Sequence, residues 1–292
     1  MSTEKPKLIV FCDLQRPHAH DAMNRFLAFV QGRAEIMANC LETGRELNEL
    51  RQADFAVVFG GDGTILRAAR ELCQTSVPVV GVNVGKLGFL AEFSVEELLS
   101  QFERIIKGEL LIEKRMILHC DVVRQGSDIF TYTAVNDVVV TAGPPFKMLE
   151  LKLSVQHQRL AVCIGDGLIV STPTGSTAYN LSAGGPILAA NLSAIVLTPI
   201  CPHSLTFRPI VLNAEHQLRI EPLRVNTETT LILDGQVQQR LMKNDVIAIR
   251  KHGGQFLVVN NPLRTQWDTL ATKLHWAQKL RYADHQTETK TH

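Results

Sequence analysis

The sequence predicts an α/β domain followed by a β-sandwich domain. In the first third of the chain, short apolar runs alternate with helical patterns, which is the βαβ rhythm of a parallel, Rossmann-like sheet. Beyond about Leu110 the apolar residues recur with a period of two, and many short strands with few helices are typical of a β-sandwich. The 292 residues also exceed the usual size of one domain. We therefore predict an α/β domain at residues 1–112 and a sandwich at residues 113–267.

The elements of the α/β domain follow one another in a regular order. The apolar runs predict strands, and the segments between them predict helices. In chain order these are a strand at Lys7–Phe11, a helix at Asp21–Val30, a strand at Asp54–Phe59, a helix at Thr64–Cys73 and a strand at Val77–Val82. Residues Val95–Lys107 place apolar side chains on one helical stripe, so they predict the last helix of this domain.

The sandwich prediction rests on alternating segments. Met148–Val155 alternates leucine and valine with polar residues, as a half-buried strand does. Further strands are predicted at Met116–Val123, Tyr132–Thr141, Leu168–Ser171, Ala194–Thr198, Thr229–Asp234, Val246–Arg250 and Gln255–Val259. We expect the polar residues after Ala283 to form a loose tail.

The composition excludes several classes of protein. A content of 45% hydrophobic and 20% charged residues is that of a globular protein, and a net charge of +1 gives no field that attracts nucleic acid or an anionic membrane. The six cysteines are far apart and lie mostly in apolar stretches, so we interpret them as buried thiols in a reducing cytosol. No signal peptide or membrane span is predicted. The pair His18 and His20 has no third ligand at metal-site spacing, and no metal site is predicted.

The first candidate site is the segment Gly60–Thr64, with the sequence GGDGT, between an apolar strand and a helical segment. Its glycines allow a close approach of the backbone to a ligand, and a helix start directs free amides toward an anion. We therefore expect phosphate binding, with Asp62 holding a hydroxyl group or taking its proton. The alternative is an ordinary strand-to-helix turn with Asp62 as its N-cap, and these five residues alone do not decide between the two.

Other nucleotide motifs are incomplete. Gly81–Leu87 is one residue too short for a P-loop and has Leu87 where magnesium needs a hydroxyl. No GxGxxG follows the first strand, and Asn180–Gly184 lacks the first glycine of a nucleophile elbow. The dehydrogenase and serine-hydrolase interpretations therefore lose their main support.

The second candidate site is the segment Gly165–Pro186. A strand there ends in a cluster of hydroxyls and glycines with one tyrosine, which suits a nucleotide. A hydroxyl-capped turn is the alternative. Asn136 and Asp137 interrupt an apolar strand, so they need polar partners, and ribose hydroxyls are good candidates. The alternative is that the two residues mark a strand end or a bulge. Asp234 and Gly235 end another strand, and hairpin chemistry explains them.

Taken together, Gly60–Thr64, Gly85–Leu90, Asn136 with Asp137, and Asp166–Pro186 closely resemble the bacterial NAD kinase family. The resemblance extends from about Asp54 to Trp276, and the stretch DGLIVSTPTGSTAYNLSAGGPI is highly specific. GGDGT alone is shared with diacylglycerol-type lipid kinases. The resemblance implies a nucleotide site between an α/β domain and a β-sandwich, a terminal segment at residues 268–292 that packs back on the first domain, and a homodimer or homotetramer.

The resemblance also implies the roles of individual residues. Asp62 would be the base that faces the ribose 2'-hydroxyl of NAD. The ATP phosphates would bind at Gly60, Gly61, Gly63 and Thr64. The NAD contacts would be Asp62, Gly63, Arg67, Asn136, Asp137, Lys147, Asp166, Thr174, Thr177, Ala178, Tyr179, Asn180, Leu181, Ser182 and Gln236. Mg2+ would accompany ATP, whereas no nucleic acid or membrane partner is expected.

Two positions depart from the family pattern. Asp137 stands where many members have glutamate, which shortens the carboxylate arm by one methylene group. Ile164 stands where several members have arginine, which removes a cation next to the dinucleotide. The sequence is also compatible with two rival functions. One is a lipid kinase that uses the same GGDGT loop, and the other is a non-catalytic NAD-binding sensor.

Overall fold

The computed structural model describes residues 5–13, 15–39, 47–85 and 88–275. The helices are α1 (Pro17–Val30), α2 (Leu47–Leu50), α3 (Asp62–Leu72), α4 (Val95–Ile106), α5 (Tyr179–Ser182) and α6 (Gln266–Leu274), with one 3-10 turn at Thr174–Thr177. The first strands are β1 (Lys7–Cys12), β2 (Glu35–Asn39), β3 (Phe55–Gly60), β4 (Val79–Asn83), β5 (Ile112–Arg115), β6 (Leu118–Arg124), β7 (Ser127–Ala134), β8 (Asp137–Thr141) and β9 (Leu149–Val155). The remaining strands are β10 (Gln158–Gly165), β11 (Gly167–Ser171), β12 (Ala194–Ile200), β13 (Ile210–Asn213), β14 (Leu218–Arg224), β15 (Thr230–Leu233), β16 (Val237–Arg240), β17 (Val246–Lys251) and β18 (Phe256–Val259).

A six-stranded sheet in the order β2-β1-β3-β4-β18-β5 forms the N-terminal part. Its strands pair in parallel from β2 to β18, and β5 closes the edge antiparallel to β18. One face packs against α1 and α4 through side chains such as Phe26 and Phe102, and the other packs against α3 through Ile65 and Ala69. The expected Rossmann-like α/β domain is confirmed, and the structure shows helices on both faces of its sheet.

The C-terminal part is a sandwich of two antiparallel six-stranded sheets, in the orders β10-β9-β14-β17-β6-β7 and β13-β12-β11-β8-β15-β16. Alternate residues of β9, namely Leu149, Leu151 and Leu153, are buried between the sheets, as the alternating pattern predicted. The expected β-sandwich is therefore confirmed. No helix within the described ranges is both long and apolar enough to cross a membrane.

Two strands cross the boundary that the sequence suggested between residues 112 and 113. β5 spans that position, and β18, which the sequence placed in the sandwich, pairs with β4 in the parallel sheet. The chain thus returns to the first sheet before α6 begins. Local periodicity does not show this return, because a strand of four residues carries the same pattern in either sheet. The part of the expected returning segment after His275, and the tail after Ala283, lie outside the described residues.

One predicted strand is two strands in the structure. The expected strand at Tyr132–Thr141 breaks at Val135 and Asn136, so that β7 belongs to one sheet of the sandwich and β8 to the other. The apolar run continues through the break because Val135 is buried there as well. The sequence pattern alone therefore gave no sign of the change of sheet.

Candidate functional site

The GGDGT segment forms a sharp turn from β3 into α3. Gly60 ends the strand, Gly61 is the N-cap residue in an extended conformation, and Asp62 begins the helix. A Cβ atom on Gly60 would lie less than 3.0 Å from the Thr64 side chain, so the turn requires glycine there. The alternative that Asp62 is the N-cap is wrong, since Gly61 holds that position and no side chain caps the helix. The N–H groups of Thr64 and Ile65 donate to the Gly61 carbonyl, so the amides that the helix start leaves for an anion are those of Asp62 and Gly63.

These amides line a cavity of about 470 Å³, which we call the loop cavity. Its walls include Gly61, Asp62, Gly63 and Thr64, together with Asp13, Arg16, Arg67 and Gln236. Arg16 pairs with Asp13 at 3.1 Å, and Arg67 pairs with Glu71 at 3.3 Å. Both guanidinium groups are largely exposed, so each remains able to bind a phosphate oxygen. The sequence analysis missed Arg16, which precedes α1 and belongs to no motif.

The Asp62 carboxylate is held by the backbone of the segment that follows β4. Oδ2 accepts the N–H of Phe89 at 2.9 Å, and Oδ1 accepts those of Leu90 and Ala91 at 3.1 and 3.3 Å. An ionised carboxylate has about four acceptor positions. One position, on Oδ2, thus remains for a substrate hydroxyl, and the three N–H donors fix the orientation of the group. Lys86 and Leu87 of the same segment lie outside the described residues.

A second cavity of about 440 Å³, which we call the sheet cavity, lies on the sandwich. Asn136, Asp137, Ala178 and Tyr179 line it, together with the turn at Asp234 and Gly235. The Tyr179 side chain is 46% exposed, so its ring is accessible to a planar ligand. The structure therefore brings the Asn136 and Asp137 pair together with part of the segment Gly165–Pro186.

Asp234 explains how the polar residues of the sheet cavity are held. Its carboxylate accepts the backbone N–H groups of Val135, Asn136 and Asp137 at 3.1, 2.7 and 3.2 Å. These amides lie at the break between β7 and β8, where the sheet ladder leaves them without strand partners. Asp234 and Gly235 both have positive φ, as expected for a hairpin turn. The hairpin interpretation describes the backbone correctly, but it did not reveal the role of this side chain.

The same carboxylate joins the sandwich to α3. Arg70 donates to Asp234 at 2.7 Å, and the two side chains are 7% and 0% exposed. Arg70 also donates to Gln236, and the Gln236 side-chain amide donates to the Gly63 carbonyl at 2.9 Å. Neither Arg70 nor this connection was foreseen from the sequence. As a result, the loop cavity and the sheet cavity adjoin at the turn Asp234–Gln236.

Asp137 has an unusual protonation equilibrium. Burial of its carboxyl group and the nearby negative charge of Asp234 raise its pKa to about 7. The backbone N–H of Asp137 donates to Asp234, and Asp137 is one of the residues that line the sheet cavity. A buried carboxyl group that titrates near neutrality in a cavity is characteristic of a functional site.

Several expected contacts from the segment Gly165–Pro186 lie outside the sheet cavity. Asn180 is fully buried, its amide donates to the carbonyls of Ser176 and Pro186, and its Oδ1 accepts the hydroxyl of Thr198. Thr174 and Thr177 line a separate small cavity beside α6. Of the expected NAD contacts in this segment, Ala178 and Tyr179 line the sheet cavity.

Four other expected contacts lie away from the walls of both cavities. The carbonyl of Lys147 accepts the side-chain amide of Asn226, and the backbone of Asp166 pairs with Ile200 and Ala142. Leu181 and Ser182 are in α5, after the residues that reach the sheet cavity. These four residues therefore line neither the loop cavity nor the sheet cavity of this single chain.

Two family models and several known proteins match most of this chain. The model of the ATP-NAD kinase N-terminal domain matches residues 18–110, and that of the ATP-NAD kinase C-terminal domain matches residues 135–261. The NAD kinase of Syntrophotalea carbinolica is 41% identical over 226 residues, which are 77% of this chain and 79% of that protein.

Two solved structures are similar over almost the whole chain. The yeast NADH kinase complexed with NADH has a TM-score of 0.85 at 25% identity and covers 97% of this chain and 91% of its own. The NAD kinase from Archaeoglobus fulgidus in complex with ATP has a TM-score of 0.71 at 25% identity and covers 93% of this chain and 98% of its own. The matched ranges contain both the GGDGT loop and the residues of the sheet cavity, and the chain belongs to the ATP-NAD kinase family.

Proposed function

We propose that this chain transfers the terminal phosphoryl group of ATP to the 2'-hydroxyl of the adenosine ribose of NAD, which yields NADP. One observation carries the assignment of the site. The Asp62 carboxylate, oriented by three backbone N–H groups, lies in an amide-lined cavity that adjoins a second cavity suited to a nucleoside. Phosphoryl transfer depends mainly on positioning and on stabilisation of charge, and both are supplied here.

In this proposal each cavity binds part of one substrate. The triphosphate lies against the amides of the segment Gly60–Thr64, with Arg16 and Arg67 neutralising its charge. The adenosine of NAD occupies the sheet cavity, where Tyr179 stacks on the base and Asn136 with Asp137 bind hydroxyl groups. The side-chain amide of Gln236 donates to the Gly63 carbonyl and so fixes the position of the loop cavity relative to the sheet cavity.

Asp62 is the proposed general base. Its free acceptor position takes the proton of the 2'-hydroxyl while the hydroxyl oxygen attacks the terminal phosphorus atom of ATP. The bond between that phosphorus atom and the oxygen of the leaving ADP breaks on the opposite side. The three N–H groups keep the carboxylate aimed at one point, which reduces the entropy lost on reaching the reactive geometry. For the residues outside the cavities, such as Asn180, we propose a scaffold role rather than direct contact with NAD.

We also propose that Mg2+ enters with the triphosphate. Asp13 lines the loop cavity beside Asp62, and one carboxylate together with substrate phosphates is a usual ligand set for Mg2+. Within the described ranges, no group of three histidine, cysteine, aspartate or glutamate side chains could hold an ion alone. The residues therefore fit an ion shared with ATP, and when bound it would neutralise charge on the transferred group.

The decisive assay incubates the purified chain with NAD, ATP and magnesium and detects the product with an NADP-specific dehydrogenase. Formation of NADP supports the proposal. Binding of NAD without triphosphate-dependent formation of NADP would favour the sensor, and phosphorylation of a diacylglycerol or sphingoid base in its place would favour the lipid kinase. Replacement of ATP by inorganic polyphosphate in the same assay defines the donor.

We further propose that the enzyme works as a homodimer or homotetramer in the cytosol. The proposal rests on the resemblance of the sequence motifs to the bacterial NAD kinase family, which implies such an assembly. Sedimentation velocity of the purified chain tests it, and a single species with the mass of one chain would refute the assembly. Cell fractionation with a cytosolic marker tests the location.

A further inference from the structure

One hairpin turn, Asp234–Gln236, forms part of the wall of both cavities. Asp234 and Gly235 line the sheet cavity, and Gln236 lines the loop cavity. The turn joins β15 to β16, and β15 also pairs with β8, the strand that begins at Asp137. A displacement of this turn would therefore change the walls of both cavities together.

The turn is bonded in both directions to the residues of the sheet cavity. The Asp234 carboxylate, which is 0% exposed, accepts the N–H of Asp137 at 3.2 Å, and the backbone N–H of Asp234 donates to the Asp137 carbonyl at 3.0 Å. The same carboxylate accepts the N–H of Asn136 at 2.7 Å. A ligand that fixes Asn136 and Asp137 therefore also fixes the Asp234 side chain.

The turn is also bonded to the first and last turns of α3, the helix whose start borders the loop cavity. One nitrogen of the Arg70 guanidinium group donates to Asp234 at 2.7 Å, and another donates to the side-chain oxygen of Gln236. The Gln236 side-chain amide then donates to the Gly63 carbonyl at 2.9 Å. The Arg70 side chain is 7% exposed, so water does not compete for its pair with Asp234, and the planar guanidinium group holds both partners in a fixed geometry.

These hydrogen bonds form one continuous connection between the two binding sites. It runs from Asn136 and Asp137 through Asp234, Arg70 and Gln236 to Gly63. Gly63 is one of the two residues whose amides the start of α3 leaves for an anion. All of the links join protein atoms, so the connection is complete before either substrate binds.

We propose that Arg70 and Gln236 are positioning residues that make the binding of NAD and the binding of the triphosphate donor mutually favourable. The proposal rests on the proposed function, since it places the two substrates in the two cavities. The first substrate restricts the turn Asp234–Gln236 and the start of α3, so the second substrate loses less conformational entropy when it binds. By thermodynamic linkage, each substrate then raises the affinity for the other by the same factor.

The coupling factor can be measured without turnover. Isothermal titration gives the Kd of β,γ-methylene-ATP with magnesium in the absence of NAD and at saturating NAD, and the ratio of the two values is the coupling factor. For the unmodified chain we expect a factor of about five or more, and the same factor when NAD is titrated with and without the analogue. Gln236→Leu removes both hydrogen bonds of the side chain but leaves the pair of Arg70 and Asp234, so its factor should fall below about two.

Arg67→Ala is the matched control, because Arg67 lines the loop cavity and pairs with Glu71 of its own helix. This variant should bind the ATP analogue more weakly both with and without NAD, but its coupling factor should equal that of the unmodified chain. The control therefore separates a loss of affinity from a loss of coupling.

A second variant keeps the size of the Gln236 side chain. Gln236→Glu retains the oxygen that accepts from Arg70 and loses the N–H donor to Gly63, so its coupling factor should fall as well. Gln236 is exposed, so both of its variants should keep the thermal unfolding midpoint of the unmodified chain within a few degrees.

Three results would overturn the proposal. The first is a factor below about two in the unmodified chain, including a chain that binds only one of the two ligands. The second is an undiminished factor in Gln236→Leu, and the third is an equal loss of the factor in Arg67→Ala. If the unmodified chain forms no NADP from NAD and ATP, the proposed function fails, whereas the coupling factor still decides whether Arg70 and Gln236 link the two sites.

Discussion

Asp62 and Gly88 lie in contact so close that Gly88 has no room for a side chain. A Cβ atom on Gly88 would lie far less than 3.0 Å from the Asp62 carboxylate. The residue after Gly88 supplies the first of the three N–H groups that orient this carboxylate. The segment that follows β4 is therefore shaped around Asp62.

We expect Gly88→Ala to displace the Asp62 carboxylate and to lower kcat by about a hundredfold or more, since small misplacements of reacting groups have effects of that order. Gly85→Ala is the matched control, because a Cβ atom there meets no described atom within 4 Å. Steady-state NADP formation compares the two variants. Equal kcat values for both would show that the position of Asp62 does not matter.

Substitution of Asp62 by asparagine tests the general base directly. Asp62→Asn keeps the size of the side chain but removes the proton acceptor, so kcat should fall by about a hundredfold to ten-thousandfold. The Kd of NAD should change far less than kcat, since the sheet cavity is intact. Near-normal turnover by a folded Asp62→Asn protein would remove Asp62 from the role of base.

The buried pair of Arg70 and Asp234 should contribute to stability. Arg70→Ala leaves the Asp234 carboxylate buried without its cation, and loss of one partner of a buried pair costs about 3–5 kcal/mol. Arg67→Ala on the same helix removes an exposed pair with Glu71, which is worth about 0–1 kcal/mol. Urea unfolding measures both free energies. A loss in Arg70→Ala no larger than that in Arg67→Ala would contradict the anchoring role of Asp234.

The raised pKa of Asp137 predicts a pH dependence of NAD binding. Because the carboxyl group of the free protein ionises at about pH 7, the hydroxyl-accepting form is lost as the pH falls below that value. The Kd of NAD should therefore increase from pH 8 to pH 6, by at most tenfold per unit below the pKa. In Asp137→Asn this part of the profile should be flat. An unmodified chain with a flat profile over the same range would exclude titration of Asp137.

The same group predicts how stability changes with pH. The pKa is raised from the model-compound value of 3.8 to about 7, so between these values the native state binds the proton more tightly than the unfolded chain. Its contribution to the free energy of unfolding is fully present below about pH 4 and is lost as the pH rises through 7. Asp137→Asn should therefore be more stable than the unmodified chain at pH 8 and lose this advantage at pH 4. Urea unfolding at the two pH values checks the sign.

Local patterns in the sequence were enough to predict the fold class and the glycine turn at Gly60–Thr64. The βαβ rhythm, the period of two and the glycines of Gly60–Thr64 are local signals, and local backbone preferences produce them. The specific stretch within Gly165–Pro186 likewise pointed to the correct family.

Long-range packing determines which polar side chains line the cavities and which bond within the fold. Asp234 binds Asn136 across 98 positions of sequence, and Arg70 reaches Asp234 across 164 positions. Such pairs depend on how sheets and helices pack, and a periodic pattern within a short stretch of sequence does not indicate that packing. For the same reason, three features became visible only in the folded chain. They are the return of β18 to the first sheet, the hydrogen bonds of Asn180 within the fold, and the two cavities at the Asp234–Gln236 turn.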